Sequence, residues 1–169
     1  MDVKEALLAR RSVRKFTKES VSDAMIDELL HAAMSGPSAC NMKPWAFYAV
    51  TQEAALEKLR SASRFTNIHA PLAIVVCGDL ERALPKTLTE YWVQDCSAAT
   101  ENILLCAASL GLGAVWCGVY PQKPAQEKVS ALLELDEKRI PLNIIFIGHP
   151  DETPEPRDQY EADRVRFIR

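Results

Sequence analysis

The sequence predicts a single α+β domain of 169 residues, with four strands and about five helices. Apolar residues at helical spacing alternate along the chain with short, strongly apolar runs that are typical of strands. The length suits one domain with a sizeable core. The last nineteen residues, 151–169, lack either pattern and are expected to form an extended arm.

Helices are predicted on both sides of a short basic segment near the N terminus. Apolar residues at helical spacing predict the first helix over residues 2–10. The second is predicted over residues 21–36, with Ser22 as a candidate N-cap and Gly36 as its stop. The basic segment between them is therefore expected to connect two helices.

The rest of the chain alternates strands and helices. The run PLAIVVCGD at 71–79 is apolar throughout, which predicts a strand buried on both faces. The helical stretch at 88–110 is rich in alanine, so another helix can approach it closely, and Gly111 ends it. Further strands are predicted at 44–50, 113–120 and 141–150, and further helices at 52–63 and 123–135.

The arm at 151–169, DETPEPRDQYEADRVRFIR, contains two prolines and many charges. Its apolar residues lie near its end, at Val165, Phe167 and Ile168. A tail with no core of its own but with apolar residues at its end is expected to pack on another surface, such as that of a second subunit.

Charge and composition exclude several classes of protein. The 20 basic and 23 acidic residues give a net charge of −3, which argues against general nucleic-acid binding. The first residues carry charges where a signal peptide needs an apolar core, and no apolar run is long enough to span a bilayer. The five cysteines and three histidines have neither disulfide nor metal-site spacing. We therefore expect a soluble, cytoplasmic protein that binds no nucleic acid, membrane or metal.

The segment RRSVRKF, residues 10–16, places four cations in six positions. If it is extended, one of its faces carries Arg10, Ser12, Arg14 and Phe16. Forked guanidinium donors and a hydroxyl suit the oxygens of a phosphate. These residues alone leave two interpretations open, a phosphate site and a solvated basic surface.

Two further segments have features of a ligand site. The loop GPSACNMKPW, 36–45, offers Ser38 and Asn41 to a heteroaromatic ring or a polyol, but it is also typical of a helix-terminating turn. In GAVWCGVY, 113–120, glycines on each side of Trp116 and Cys117 allow the backbone to approach a flat ligand. A tryptophan at position 116 is more often a core residue than a platform on which a ring stacks.

Few side chains could act directly in chemistry. Cys40 and Cys117 are possible nucleophiles, but neither has a histidine nearby in sequence, which favours a structural role. Asp95 could be a general base or part of the polar end of an interface. No Rossmann glycine fingerprint or Walker loop is present, so a nucleotide cofactor would have to be held by other means.

Taken together and in order, four segments resemble the successive blocks of the FMN-dependent nitroreductase family in its short form. They are RRSVRKF, GPSACNMKPW, QDCSAATENILLCAASLGLGAVWCGVY and IGHPDETPEPRDQY, and the match covers nearly the whole chain. The resemblance implies a nitroreductase-like three-layer fold with a central, mostly antiparallel sheet between helices. It also implies a homodimer with FMN at the interface and the arm packed on the partner subunit.

The resemblance also implies a set of cofactor-binding positions. Arg10 and Ser12 match positions that hold the FMN phosphate, Arg157 of the arm matches a basic residue that returns to it, and Arg11 stands where the site could draw on a further cation. The cation of Arg14 matches a position toward the ribityl chain and the pyrimidine edge of the ring. The 37–41 loop matches one supplied by the partner subunit, and positions 117–118 match backbone amides that face flavin N5 and O4. The implied residues are Arg10, Arg11, Ser12, Arg14, Pro37, Ser38, Asn41, Cys117, Gly118 and Arg157.

The implied activity is that of an NAD(P)H-dependent oxidoreductase. NADH or NADPH would transfer hydride through flavin N5 to a nitroaromatic, a quinone or a similar small oxidant by a ping-pong mechanism, with no catalytic side chain and no metal. The alternatives are a flavin dehalogenase or enoate reductase on the same fold, and a protein that stores or senses FMN. The chain departs from the family pattern at Lys43, at Gln159 and in the short segment 79–92, which is too short for a helical lid.

Overall fold

The computed structural model describes residues 1–155 and 157–169. The helices are α1 (Val3–Ala9), α2 (Asp23–Met34), α3 (Glu53–Arg60), α4 (Tyr91–Ser109) and α5 (Lys123–Leu132). The strands are β1 (Trp45–Val50), β2 (Leu72–Asp79), β3 (Gly113–Gly118) and β4 (Arg139–Gly148). Short 3₁₀ turns lie at Ala39–Asn41, Lys86–Leu88 and Ala162–Arg164. The predicted α+β class, with its four strands and five longer helices, is confirmed for the described part of the chain.

The four strands form one antiparallel sheet in the order β1-β2-β4-β3. The two central strands, β2 and β4, are apolar over most of their length, and β2 is buried at every position. Because both faces of these central strands are covered, the side chains on both faces are mostly apolar, and neither strand alternates polar and apolar residues. The β1 and β3 strands lie at opposite edges of the sheet.

Helices cover both faces of the sheet, which gives the three layers that the resemblance implied. Helices α2 and α4 pack together on one face, and α3 and α5 cover the other. The first core layer includes Leu29, Ile74, Ile103 and Ile145, and the second includes Leu59, Val75, Ile144 and Phe146.

Several predicted boundaries are confirmed, and others differ by two or three residues: α3 and α5 end three residues early, β4 lies two residues nearer the N terminus, and α4 and β3 are shorter than expected. The Oγ of Ser22 accepts a hydrogen bond from the amide of Met25 at 3.3 Å, and Gly111, with φ +75°, follows the end of α4. Helix α4 begins only at Tyr91, because the preceding residues form a 3₁₀ turn. Strand β3 ends at Gly118 rather than at residue 120, because the next two amides both donate to the carbonyl of Leu142.

The described residues, 1–155 and 157–169, contain five free thiols and no group of three or more ligating side chains that could hold a metal ion. In the same residues, no helix combines the length and the apolar character that crossing a membrane would require.

Gly78 in β2 lies directly beneath the indole ring of Trp92. A Cβ at position 78 would come within 2.2 Å of that ring, and Trp92 is only 2% exposed, so the ring has little room to move. We expect Gly78→Ala to lower the free energy of unfolding by about 1–3 kcal/mol through overpacking. Urea unfolding followed by circular dichroism measures this, with Gly36→Ala, whose Cβ contacts are at 3.2 Å or more, as a milder comparison. A Gly78→Ala midpoint equal to that of the unmodified protein would contradict the expectation.

Candidate functional site

The basic segment after α1 runs along the outer edge of β3. The amide of Val13 donates to the carbonyl of Ala114 at 3.0 Å, and the side chain of Val13 is buried. Ser12 and Arg14 therefore point outward, as the predicted alternation requires. Phe16 does not share their face, because its ring packs against Gly113 and Gly148. The segment makes only isolated bridges rather than a strand, so the alternation of faces does not extend to Phe16.

The C-terminal arm begins beside this basic segment. The amide of Thr17 donates to the carbonyl of His149, and the amide of Asp151 donates to that of Lys15, both at 2.9 Å. The arm then forms one wall of a cleft of about 420 Å³. The cleft is lined by Arg10, Arg11, Ser12, Arg14, Pro154, Glu155, Arg157 and Gln159. The structure thus brings together five of the predicted cofactor-binding residues, Arg10, Arg11, Ser12, Arg14 and Arg157, at one cleft.

The arginines of the cleft differ in how many of their guanidinium N–H groups already contact other groups of the protein. The Nε of Arg10 lies 3.2 Å from a carboxylate oxygen of Glu101 on α4, which orients the guanidinium. Arg11 donates four hydrogen bonds to backbone carbonyls of α1 and of the arm, which uses four of its five N–H groups. Arg14 is exposed, and its guanidinium makes a long contact, 3.5 Å, with the carbonyl of Ser12, its one hydrogen bond to the described residues 1–155 and 157–169. Arg10 and Arg14 therefore have more donors available to an anion than Arg11 has.

Glu152, at the start of the arm, binds the backbone of the basic segment. One of its carboxylate oxygens accepts hydrogen bonds from the amides of Arg14 at 2.5 Å and of Lys15 at 3.2 Å. The hydrogen bond from the Arg14 amide is the main cause that lowers the pKa of Glu152, and the one from Lys15 adds to it. An acidic residue just after the last strand was the available sequence signal for this contact.

The contacts of Glu152 are expected to depend on pH. Its pKa in the folded protein lies below the ordinary value of 4.5, so the contacts are present above that pH and are lost as the pH falls through the folded pKa. We expect the hydrogen-exchange protection of the Arg14 and Lys15 amides to be constant from neutral pH down to the ordinary pKa and to fall below it. Glu152→Gln, whose oxygen accepts hydrogen bonds but does not titrate, is the matched control. Equal pH profiles for the two proteins would contradict the assignment.

At the end of β3, one backbone amide points away from β4 toward the edge of the sheet. In an antiparallel ladder, successive residues point their backbone groups alternately toward and away from the partner strand. Because Val119 donates to Leu142 at 2.9 Å, the same alternation directs the amide of Cys117 toward β4 and that of Gly118 toward the open edge. A Cβ at Gly118 would meet nothing within 4 Å. Of the two predicted amides, that of Gly118 is the one available to a ligand.

The thiol of Cys117 has a structural environment. It is buried and donates a hydrogen bond to the carbonyl of Phe65 at 3.2 Å. Burial raises the pKa of Cys117 to about 11, and the positive charge of Arg14 opposes the shift. The thiol therefore stays protonated at neutral pH, which argues against a nucleophile.

The predicted loop before β1 has an unusual backbone that α4 anchors. Three residues other than glycine have left-handed conformations, Cys40, Asn41 and Lys43, with φ of 50°, 55° and 53°. The carboxylate of Asp95, which is 6% exposed, accepts a hydrogen bond from the amide of Ala39 at 2.8 Å. The hydroxyl of Ser38 accepts one from the amide of Lys43 at 2.9 Å. Asp95 thus fixes this loop, a role that sequence reasoning did not assign to it.

The loop residues Pro37, Ser38 and Asn41 do not line the cleft beside β3. The loop leads into β1, and β1 and β3 are opposite edges of the sheet. Three strand spacings separate these edges, a distance of about 14 Å. Within the described residues of one chain, the predicted site residues therefore form two groups on opposite edges.

Comparison with known proteins identifies the family. The sequence profile of the Nitroreductase family matches residues 7–71 and 63–149. The chain belongs to the nitroreductase family. It is 45% identical to a protein of Methanothermobacter thermautotrophicus provisionally named NADH dehydrogenase/NAD(P)H nitroreductase, over 99% of this chain and 87% of that protein.

Solved structures of nitroreductase-family proteins have the same fold. One from Parabacteroides distasonis, provisionally named NADH dehydrogenase/NAD(P)H nitroreductase, has a TM-score of 0.92 and 37% identity, over 98% of this chain and 96% of that one. One from Desulfovibrio desulfuricans, solved in complex with FMN, has a TM-score of 0.84 and 28% identity, over 100% and 98% of the two chains. The three-layer fold that the resemblance implied is confirmed.

Three carboxylates support the candidate site of this nitroreductase-family protein without having been predicted to do so. Glu101 orients Arg10, Glu152 holds the basic segment, and Asp95 holds the loop before β1. Each acts on a residue distant in sequence. Their pairing could not be read from the order of residues, because it depends on how the arm and α4 pack.

Proposed function

We propose that the chain binds FMN and acts as an NAD(P)H-dependent oxidoreductase of the nitroreductase type. The observation that carries the proposal is an arginine-lined cleft formed by the segment that runs along β3, the strand that ends in an open backbone edge at Gly118. A phosphate suits the cleft, and a flat ring suits an edge where no side chain occupies the space. The FMN complex of the relative and the names of the curated relatives support the same cofactor and electron donor.

The residues present fit this cofactor. Arg10, Ser12 and Arg157 would bind the phosphate, and Arg14, which also lines the cleft, would place a cation toward the ring. The amide of Gly118 would donate to the edge of the ring, with Cys117 shaping the strand beneath it. When bound, FMN would accept hydride from NADH or NADPH at N5 and reduce a nitroaromatic, a quinone or a similar oxidant in a ping-pong cycle. The cation of Arg14 would stabilise the negative charge that develops on the pyrimidine edge of the reduced ring.

A homodimer would complete each site, and we propose that the chain forms one. The 37–41 loop and the cleft lie at opposite edges of one sheet, so the loop of a partner subunit would have to complete the site. The chain also exposes apolar side chains on α1 and at the end of the arm: Val3, Leu7, Leu8, Phe167 and Ile168. In this proposal residues 1–169 form one domain, and the arm at 151–169 packs on the partner. Light scattering after gel filtration tests it, and a monomer at micromolar concentration would contradict it.

A cytoplasmic location remains a prediction. The presence of five free thiols among the described residues is compatible with a reducing compartment. Fractionation of cells that express the protein would test the location directly.

Anaerobic reduction tests the activity. The FMN-loaded protein is mixed with NADH or with NADPH without oxygen, and the flavin absorbance is followed. We expect one or both nucleotides to bleach the flavin and a nitroaromatic or quinone to restore its absorbance. In separate steady-state assays, double-reciprocal plots at several oxidant concentrations should be parallel, as for a ping-pong cycle. Restoration only by a haloaromatic or an enone would favour a dehalogenase or an enoate reductase. A bound flavin that neither nucleotide reduces would favour storage or sensing of FMN.

A further inference from the structure

Arg11 joins the end of α1 to the C-terminal arm. Its Nη1 donates to the carbonyls of Leu8 at 2.9 Å and Arg10 at 2.7 Å. On the other side, its Nε donates to the carbonyl of Glu155 at 3.1 Å, and its Nη2 donates to that of Arg157 at 3.2 Å. The guanidinium therefore holds the arm at the residue that carries one of the proposed phosphate ligands.

Glu152 holds the same arm at a second point and in the opposite sense. Arg11 of the basic segment donates to carbonyls of the arm, whereas Glu152 of the arm accepts from amides of the basic segment. Contacts at Glu152, Glu155 and Arg157 therefore fix the arm to the basic segment at these residues. The arm beyond this point is exposed in the single chain.

We infer that Arg11 is a positioning residue, which acts on a bound anion through the arm by setting Arg157 at the cleft rather than by binding the anion itself. This inference rests on the proposed function, because it concerns retention of FMN. It makes the arm part of the cofactor site in each chain, with Arg11 and Glu152 among the groups that fasten it. The resemblance had implied Arg11 as a cofactor ligand, and its contacts in the structure support the indirect role instead.

Lysine at position 11 separates the two roles. It keeps the positive charge, so it would serve a direct charge contact with phosphate, but it lacks the planar fork that reaches carbonyls on both sides. A positioning role is therefore lost in Arg11→Lys, whereas an electrostatic role is largely kept.

A double-mutant cycle tests the inference. FMN dissociation constants are measured by flavin fluorescence for the unmodified protein, Arg11→Lys, Arg157→Ala and the double variant. We expect each single variant to bind FMN about ten times more weakly, which corresponds to the loss of a charged hydrogen bond. The double variant should bind within about twofold of Arg157→Ala, because Arg11 acts through Arg157. Multiplied losses, or an Arg11→Lys protein that binds like the unmodified one, would overturn the inference.

Hydrogen exchange in the FMN-free protein gives a readout that does not depend on the proposed function. We expect Arg11→Lys to speed exchange at the Asp151, Arg14 and Lys15 amides by about three- to tenfold, because the arm loosens. Arg64→Lys, a change of the same kind at a position outside the arm and cleft, should leave these amides unchanged. If the unmodified protein takes up no FMN, the proposed function fails. The exchange rates of these amides still show whether Arg11 holds the arm. Unchanged exchange in Arg11→Lys would overturn the inference whatever the flavin content.

Discussion

Replacing Gly118 by valine is expected to weaken the affinity for FMN while leaving the fold intact. The protein itself can accept the side chain, because a Cβ at this position meets nothing within 4 Å and valine suits a strand. If the flavin ring occupies that space, the new side chain must collide with it. Overpacking of this kind costs about 1–3 kcal/mol, which corresponds to a loss in affinity of about 5- to 150-fold.

Flavin titration and thermal unfolding of the same preparation measure both halves of this expectation. Gly111→Ala is the matched control, since Gly111 is also open within 4 Å but has a φ of +75°. That variant should lose about 1–2 kcal/mol of stability through backbone strain and should keep its FMN affinity. Unimpaired FMN binding by Gly118→Val would show that the ring does not lie at this edge.

Replacing Arg10 by alanine is expected to weaken FMN binding by about 10- to 150-fold, the value of a hydrogen bond to a charged group. Glu101 orients this guanidinium from α4, so its donors are already directed before the phosphate arrives. The loss should be larger at low ionic strength, because the exposed cleft is screened by salt.

The retained flavin, measured after gel filtration at two salt concentrations, provides the readout for Arg10→Ala. Arg82→Ala removes an exposed arginine that does not line the cleft and should change nothing. Normal flavin content in Arg10→Ala would contradict the assignment of Arg10 to the phosphate, since it would show that this cation is not needed for binding.

Periodicity predicted the elements of the fold well because burial is a local property of each segment. The fully buried β2 strand and the apolar stripe of α2 could be read from their residues alone. The ends of helices and strands were predicted less accurately where the chain changes conformation over a few residues. Examples are the 3₁₀ turn before α4 and the two amides after Gly118 that donate to one carbonyl. The position of Phe16 was missed because its ring packs beside two glycines distant in sequence.

The candidate site was predicted in part for the same reason. The types of residue in RRSVRKF indicated an anion site, but only the packed arm shows that Arg11 is taken up by carbonyls while Arg14 stays exposed. The roles of Glu101, Glu152 and Asp95 depend on contacts across 50 to 140 residues, approximately, that no local pattern reveals. The separation of the 37–41 loop from the cleft required the strand order.

The visible spectrum of the purified protein, before and after addition of FMN, is the most direct test of the proposed cofactor. We expect a yellow protein, or one that becomes yellow on titration, with one FMN bound per chain and with its fluorescence quenched by the site. A protein that remains colourless and binds no added FMN would contradict the proposal that the arginine-lined cleft and the Gly118 edge form a flavin site.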